Sequence, residues 1–276
     1  YISMKEGNKV WLHTSKPEVF KEEITLVEEE KNLRHNVKVH SITSSYEEAV
    51  KNADYVLITY PSFMIEETLK KIIPYLKEGT VVGVIPGFGG KEYLIDELLE
   101  KGCIFFGSQR VPSIIRLEKY GECVLLKQKN EFMKLRVIPS KYSEKVCEIM
   151  TSFIDIPCLP LNNYLAITLS PSNPTMHPSR LYELFNDYVE GEKVYPRNPY
   201  FYEEWGTLAS QTLLDLDDEL TEIFNSLNYN NEFYEEDMEK IKKRYGISIA
   251  EELSKKINTA PGFQGIDSPM VKVEGG

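Results

Sequence analysis

The sequence predicts an α/β fold in which a doubly wound parallel sheet is followed by an all-helical second domain. Three observations predict it. Continuous apolar runs at residues 55–60, 80–85 and 103–106 alternate with segments of helical period. Runs of that kind are typical of parallel strands buried on both faces. The intervening segments end on Gly79 and Gly102, the residue that most often closes a helix. From Ser140 onward helical patterns dominate and no strong strand remains.

The elements follow in chain order. Residues 1–7 read as the last turns of a helix closed by Gly7-Asn8, and residues 9–13 as a short strand. Residues 24–30 and 36–42 read as two strands around the polar turn Lys31-Asn32-Leu33-Arg34. Ser45 with Glu48 is a capping-box pattern that opens a helix over 45–50. Residues 62–77 are helical, with Ile65, Leu69, Ile72, Ile73 and Leu76 on one stripe. A second helix covers 90–101, with Leu94, Ile95, Leu98 and Leu99 apolar. Residues 113–126 and 132–138 read as added antiparallel strands. The run Leu159-Pro160-Leu161-Asn162-Asn163 marks the boundary. The reading is a Rossmann-type dinucleotide domain over 1–160 and a helical substrate and catalytic domain over 161–276. The acidic cluster at 232–239 reads as a solvated helix start rather than a binding tail.

Composition narrows the function classes. Lys and Arg total 32 against 43 Asp and Glu, for a formal net charge of −11. That balance argues against nucleic acid, which needs a basic stripe, and against an anionic membrane surface. No run approaches the roughly 18 apolar residues of a membrane helix. Cys103, Cys123, Cys147 and Cys158 are widely spaced and form no C-x-x-C pair, so a reducing cytoplasm is expected. They read as small buried hydrophobes rather than nucleophiles. No metal-ligand spacing is present.

The nucleotide fingerprint G-x-G-x-x-G is absent, as expected if the chain begins inside the first helix of such a domain. The closing segment Val271-Lys272-Val273-Glu274-Gly275-Gly276 likewise reads as a strand or loop that should continue. The strand ending at His13 then takes the second position of the sheet. An Asp or Glu at its end would bind the ribose 2′-hydroxyl of NAD. Thr14, Ser15 and Lys16 stand there instead, and hydroxyls with a lysine suit the 2′-phosphate of NADP better. An ordinary polar loop is the competing reading. The loop Pro86-Gly87-Phe88-Gly89-Gly90-Lys91 fails the Walker pattern, because Ile85 replaces the first Gly and Glu92 follows the lysine. Gly87, Gly89 and Gly90 either let the backbone approach a cofactor or form a tight turn.

His35 and His40 fall in a hairpin with no metal pattern and read as surface residues. His177 is different. It stands in Ser170-Pro171-Ser172-Asn173-Pro174-Thr175-Met176-His177-Pro178-Ser179-Arg180. Its prolines stiffen the segment, and Pro178 makes His177 the expected last residue before a helix. Such rigidity suits an imidazole held for proton transfer. A carboxylate would fix its tautomer. Along the helix at 208–227, Asp217 shares the face of Leu213, Leu220 and Phe224, whereas Asp215 and Asp218 point outward. Asp217 is therefore the expected partner of His177.

The run Asn173-Pro174-Thr175-Met176-His177-Pro178-Ser179-Arg180-Leu181, behind a nucleotide-type domain, resembles the octopine/nopaline (opine) dehydrogenase family. Gln109-Arg110-Val111-Pro112 and Leu216-Asp217-Asp218-Glu219 agree with it. The resemblance implies an NAD(P)H-dependent enzyme that condenses an L-amino acid with a 2-oxo acid and reduces the imine. It implies His177 as general acid/base with Asp217 behind it. Arg180, Asn173 and Arg110 are the expected substrate contacts; for both arginines a salt bridge is the competing reading. Two alternatives are carried: a 2-oxo-acid or ketopantoate-type reductase, and a non-catalytic dinucleotide-binding sensor. A helical second domain often dimerises, so a homodimer is an open expectation, although no interface signature stands out.

Overall fold

The computed structural model describes residues 1–189, 192, 195–227, 238 and 240–272. The acids of the 232–239 cluster and the closing residues 273–276 lie outside these. The chain divides into two compact units, Tyr1–Thr168 and Leu169–Gly276.

In the first unit the parallel strands β5 (Tyr55–Ile58), β6 (Val81–Val84) and β7 (Ile104–Ser108) lie side by side. Strand β10 (Met133–Ile138) adds antiparallel to β7, and β11 (Cys158–Pro160) adds parallel to β10. The apolar runs are buried on both faces, as their continuity predicts. Val82, Val84 and Phe105 point into one core with Ile65, Leu69 and Leu98. Val81, Ile104 and Phe106 point into the other with Val146 and Met150. Gly83 has no side chain because Phe106 fills that space; a Cβ there would lie 2.1 Å from the ring.

The helices on these faces are shorter than the periodicity suggests. The 62–77 stripe becomes a 3-10 turn Ser62–Met64, helix α2 (Ile65–Ile72) and a second 3-10 turn Ile73–Tyr75. Pro74 has no N–H to continue the α-helical ladder. The 90–101 segment resolves into a 3-10 turn Lys91–Leu94 and helix α3 (Asp96–Glu100). Helix α1 (Tyr46–Val50) opens as its capping box predicts, with Glu48 N–H donating to Ser45 Oγ at 3.2 Å. Helix α4 (Ser143–Ile154) covers the second face.

Two further ladders complete this unit. Strand β1 (Trp11–His13) pairs in parallel with β4 (Ser41–Thr43). Hairpin β2 (Glu23–Glu28) with β3 (Leu33–Lys38) joins hairpin β8 (Ser113–Lys119) with β9 (Cys123–Lys129) through a parallel β2–β9 pairing. Residues 113–126, read as one strand from sequence, therefore hold the turn of that hairpin. Its tightest point is Gly121 at φ +73°, where a Cβ would meet the Val19 carbonyl oxygen at 2.5 Å. Beyond residue 160, the short helix α5 (Leu165–Thr168) and Leu161, Tyr164, Ala166 and Ile167 pack into the core of this unit.

The second unit is helical. Helix α7 (Thr207–Leu227) packs against α6 (Asn173–Phe185), α8 (Ile241–Tyr245) and α9 (Ala250–Asn258). Trp205, Leu213, Leu214, Leu253 and Ile257 form its core. No described helix is long and apolar enough to cross a membrane. All four cysteines are buried and unpaired with one another, as small hydrophobes would be.

Candidate active site

His177 lies inside α6, four residues past its first residue, and not ahead of the helix. The helix starts at Asn173 because Pro174 falls in the first turn, where an N–H has no acceptor to satisfy. Pro178 then sits within the helix and leaves the Pro174 carbonyl without its usual donor. The Thr175 hydroxyl donates to the Pro171 and Ser172 carbonyls at 3.2 and 3.0 Å and fixes the helix entry.

The half-buried imidazole is clamped from one side. Its Nε2 lies 2.9 Å from the hydroxyl of Tyr202, and its edge meets Phe201 at 89°. Tyr202 is itself fixed, stacked on Phe263 at 4.3 Å and parallel to Trp205. The His177 Nδ1 hydrogen-bonds no described residue. Burial pushes the imidazole pKa below its ordinary value, so the neutral form dominates at pH 7. One ring nitrogen is held and the other is open to a proton partner.

Asp217 is not that partner. The helical phase is as predicted: Asp217 is buried while Asp215 and Asp218 are exposed. Its oxygens, however, accept from the backbone N–H groups of Ile241 at 2.7 Å and Lys242 at 3.2 Å. These are donors that a helix leaves unsatisfied at its N-terminus, here that of α8. An inward acid must be hydrogen-bonded, and a helix end meets that need as well as a histidine does.

Arg180 also departs from expectation. It is 3 % exposed. Its guanidinium donates to the Phe201 carbonyl at 2.9 Å, the Tyr200 carbonyl at 3.2 Å and Glu183 Oε2 at 2.5 Å. The salt-bridge reading holds, and the substrate-clamp reading falls, because the fork is engaged within the fold. Glu183 in turn accepts from Gly206 N–H at 2.9 Å and Ala209 N–H at 3.2 Å, capping α7. Asn173 is exposed at the start of α6.

In the first unit the carboxyl ends of the parallel strands are the edge where open α/β sheets bind ligands. Thr14, Ser15 and Lys16 follow β1, which does not take the expected second position of that sheet but pairs with β4 in a separate two-stranded one. Ser15 and Lys16 are exposed, and the Lys16 N–H donates to Thr14 Oγ1 at 3.3 Å. No carboxylate occurs between His13 and Pro17. Two hydroxyls and an ammonium fit an anionic phosphate. Gly87 serves the protein itself: a Cβ would lie 2.6 Å from Gly107 Cα and 2.8 Å from the Tyr164 hydroxyl. Gly89 is left-handed at φ +87° with open space around it, the conformation of a tight turn. Arg110 is half-buried just past the end of β7.

Sequence reasoning missed Tyr202, Glu183 and Lys91. Tyr202 belongs to the aromatic run Tyr200-Phe201-Tyr202, but no periodicity ties it to His177. Lys91, in the glycine loop, is buried and donates to the Ser62 hydroxyl at 2.6 Å, which clips the loop after β6 to the loop after β5.

Comparison with known proteins adds to this geometry. Residues 160–274 match the family model described as NAD/NADP octopine/nopaline dehydrogenase, alpha-helical domain. Residues 2–125 match that of ketopantoate reductase PanE/ApbA. Tauropine dehydrogenase of Arabella iricolor is 24% identical over 249 residues, covering 85% of this chain and 62% of that protein. Opine dehydrogenase of Haliotis discus hannai is 27% identical over 191 residues, covering 67% and 46%. The chain thus spans less than two thirds of the length of these relatives. The structure of an octopine dehydrogenase with NADH and L-arginine superposes with a TM-score of 0.80 at 19% identity, covering 100% of this chain and 73% of that one. Fold and helical unit together define a two-domain protein of the Rossmann-plus-helical class. Within that class, residues 160–274 match the helical domain of the octopine/nopaline dehydrogenases, and the chain is similar to tauropine and opine dehydrogenases.

Proposed function

We propose that this chain carries the proton-transfer and dinucleotide-binding parts of an opine-type dehydrogenase. The enzyme condenses the amine of an L-amino acid with the carbonyl of a 2-oxo acid and reduces the product at the expense of NAD(P)H. The observation that carries the reading is His177: an imidazole held at Nε2 by Tyr202 and unengaged at Nδ1 among the described residues.

Condensation of amine and carbonyl expels water and leaves an imine. A bound NAD(P)H supplies the hydride for its reduction. His177 carries protons: as imidazolium it protonates the carbonyl oxygen that leaves as water, and as imidazole it takes the proton back in the reverse direction. Tyr202 orients the ring in both states, since a hydroxyl can donate to neutral Nε2 or accept from Nε2–H. Thr14, Ser15 and Lys16 hold the ribose-phosphate end of the dinucleotide, and NADP is the favoured form. The glycine turn at Gly89 follows β6, at the carboxyl end of the five-stranded sheet. Asn173 and Arg110 are the proposed contacts for substrate carboxylates. The helical unit is the natural place for a homodimer contact.

The test is NAD(P)H oxidation by the full-length protein, with a panel of amino acids and 2-oxo acids, for wild type and His177→Ala. Turnover that needs both substrates and falls by about 10²-fold or more in the variant supports the proposal. Turnover of the 2-oxo acid without any amine points to a ketopantoate-type reductase instead. Tight dinucleotide binding with no turnover in either protein points to a sensor.

A further inference from the structure

We propose that a cavity at the amino ends of β5, β6 and β7 is a second, non-catalytic site, and that it takes an α-amino acid with an apolar side chain, bound as its zwitterion. The inference stands apart from the dehydrogenase reading, because none of its residues belongs to the site proposed above.

The cavity lies wholly within the first unit, between the starts of the parallel strands and α4, and encloses about 420 Å³. That is room for a small molecule. It opens at the amino ends of the strands, whereas the glycine turn that follows β6 stands at their carboxyl ends. Its floor is apolar. Val81 starts β6 and Ile104 starts β7, and both are buried in one core with Val146 of α4. Ile149, one helical turn further along α4, is half-buried and borders the cavity. Two phenols stand over this floor, Tyr55 at the start of β5 and Tyr142 ahead of α4. Burial pushes the Tyr55 pKa up and the Asp54 charge adds to it, so the hydroxyl keeps its proton. That hydroxyl makes no hydrogen bond among the described residues and is a donor without an acceptor.

The rim carries both signs of charge. Lys77 is occupied, since its ammonium donates to Asn52 Oδ1 at 3.0 Å. Glu78 leans over Gly102, where an added Cβ would meet its Cγ at 2.8 Å. Lys145 and Asp54 are left. They come from different elements, Lys145 from α4 and Asp54 from the turn between α1 and β5. Neither side chain forms a hydrogen bond or ion pair among the described residues, and they do not pair with each other. A dianion would meet Asp54 as a repelling charge, and a simple amine would meet Lys145. A zwitterion satisfies both. Its carboxylate takes the Lys145 ammonium and its ammonium the Asp54 carboxylate, while its side chain covers the apolar floor.

The test is methyl NMR of the full-length protein titrated with L-leucine, 4-methylpentanoate and 3-methylbutylamine, which carry both charges, the carboxylate alone and the ammonium alone. L-Leucine should shift the methyl signals of Val81, Ile104, Val146 and Ile149 in one saturable step. Each single-charge analogue should bind about three- to tenfold more weakly. Lys145→Glu, at an exposed position, should weaken L-leucine about tenfold, and Ile149→Trp, which fills the cavity, should abolish the step. No saturable shift at these methyls below about 20 mM L-leucine overturns the inference. So does equal affinity for L-leucine and either analogue, or unchanged affinity in Lys145→Glu. NAD(P)H oxidation by the same samples decides the dehydrogenase reading separately.

Discussion

Asp217 Oδ1 accepts the backbone N–H of Ile241 at 2.7 Å, so a carboxylate on the buried face of α7 caps the helix that follows it. Its second oxygen takes the Lys242 N–H at 3.2 Å. Asp217→Asn keeps one acceptor but points an amide NH2 at a backbone donor. The expected loss is about 1–2 kcal/mol of stability, the size of a lost helix cap. The pH profile of turnover should stay that of wild type. A urea titration together with that profile checks this, because a proton-relay role would shift the profile and a capping role would not.

Arg180 and Glu183 form a second such anchor. The pair is buried, with side chains 4% and 16% exposed. Removing one member leaves the other charge without its counterion, which costs about 3–5 kcal/mol where the site stays dry. Arg180→Met should therefore lower the thermal midpoint sharply. Folded Arg180→Met, assayed well below that midpoint, should keep the KM for the 2-oxo acid. A rise in KM of tenfold or more would restore the substrate-clamp role.

These two cases show how far the residues could be read in advance. The parallel strands were legible because burial on both faces leaves unbroken apolar runs, as at Val81–Val84. The inward phase of Asp217 was legible because helical period fixes the face a residue takes. Its partner was not, because Ile241 lies 24 residues away and contributes a backbone group that no side-chain pattern announces. The partner of His177 was hidden by separation alone, since Tyr202 lies 25 residues further on and meets it through a side-chain hydroxyl. A buried arginine looks in sequence like any other arginine, and only the fold shows which oxygens it faces.

Gly107 is a packing position in the first unit. A Cβ there would lie 2.2 Å from the Tyr164 hydroxyl, which donates to the Gly87 carbonyl at 2.6 Å. Gly107→Ala must displace a buried tyrosine ring and break that bond. The expected loss is about 1–3 kcal/mol. Tyr164→Phe, which removes only the hydroxyl, should cost about 1 kcal/mol. If Gly107→Ala proved the milder of the two by calorimetry, the close approach would not hold in solution.

The pH dependence of His177 follows from its burial. Burial disfavours the imidazolium, so the folded pKa lies below that of the unfolded chain, about 6.5. The unfolded state then binds the proton first as pH falls. The stability contributed by the neutral ring is fully present above about 6.5 and is lost as pH drops toward the folded value. The urea midpoint should therefore decrease between pH 7.5 and 5.5, and His177→Gln should reduce that decrease. Catalysis carries the same signature. Oxidation of the amine product needs the neutral ring as base, so kcat/KM should still be flat at pH 6.5 and fall only at lower pH, as the burial-depressed imidazole takes up its proton. His13 is shifted in the same direction by its own burial and adds to the stability term. It does not touch the proposed proton path, so His13→Gln should flatten the stability curve and leave the acid limb of kcat/KM in place. An acid limb that survives in the residual activity of His177→Gln would take the proton-carrying role away from this histidine.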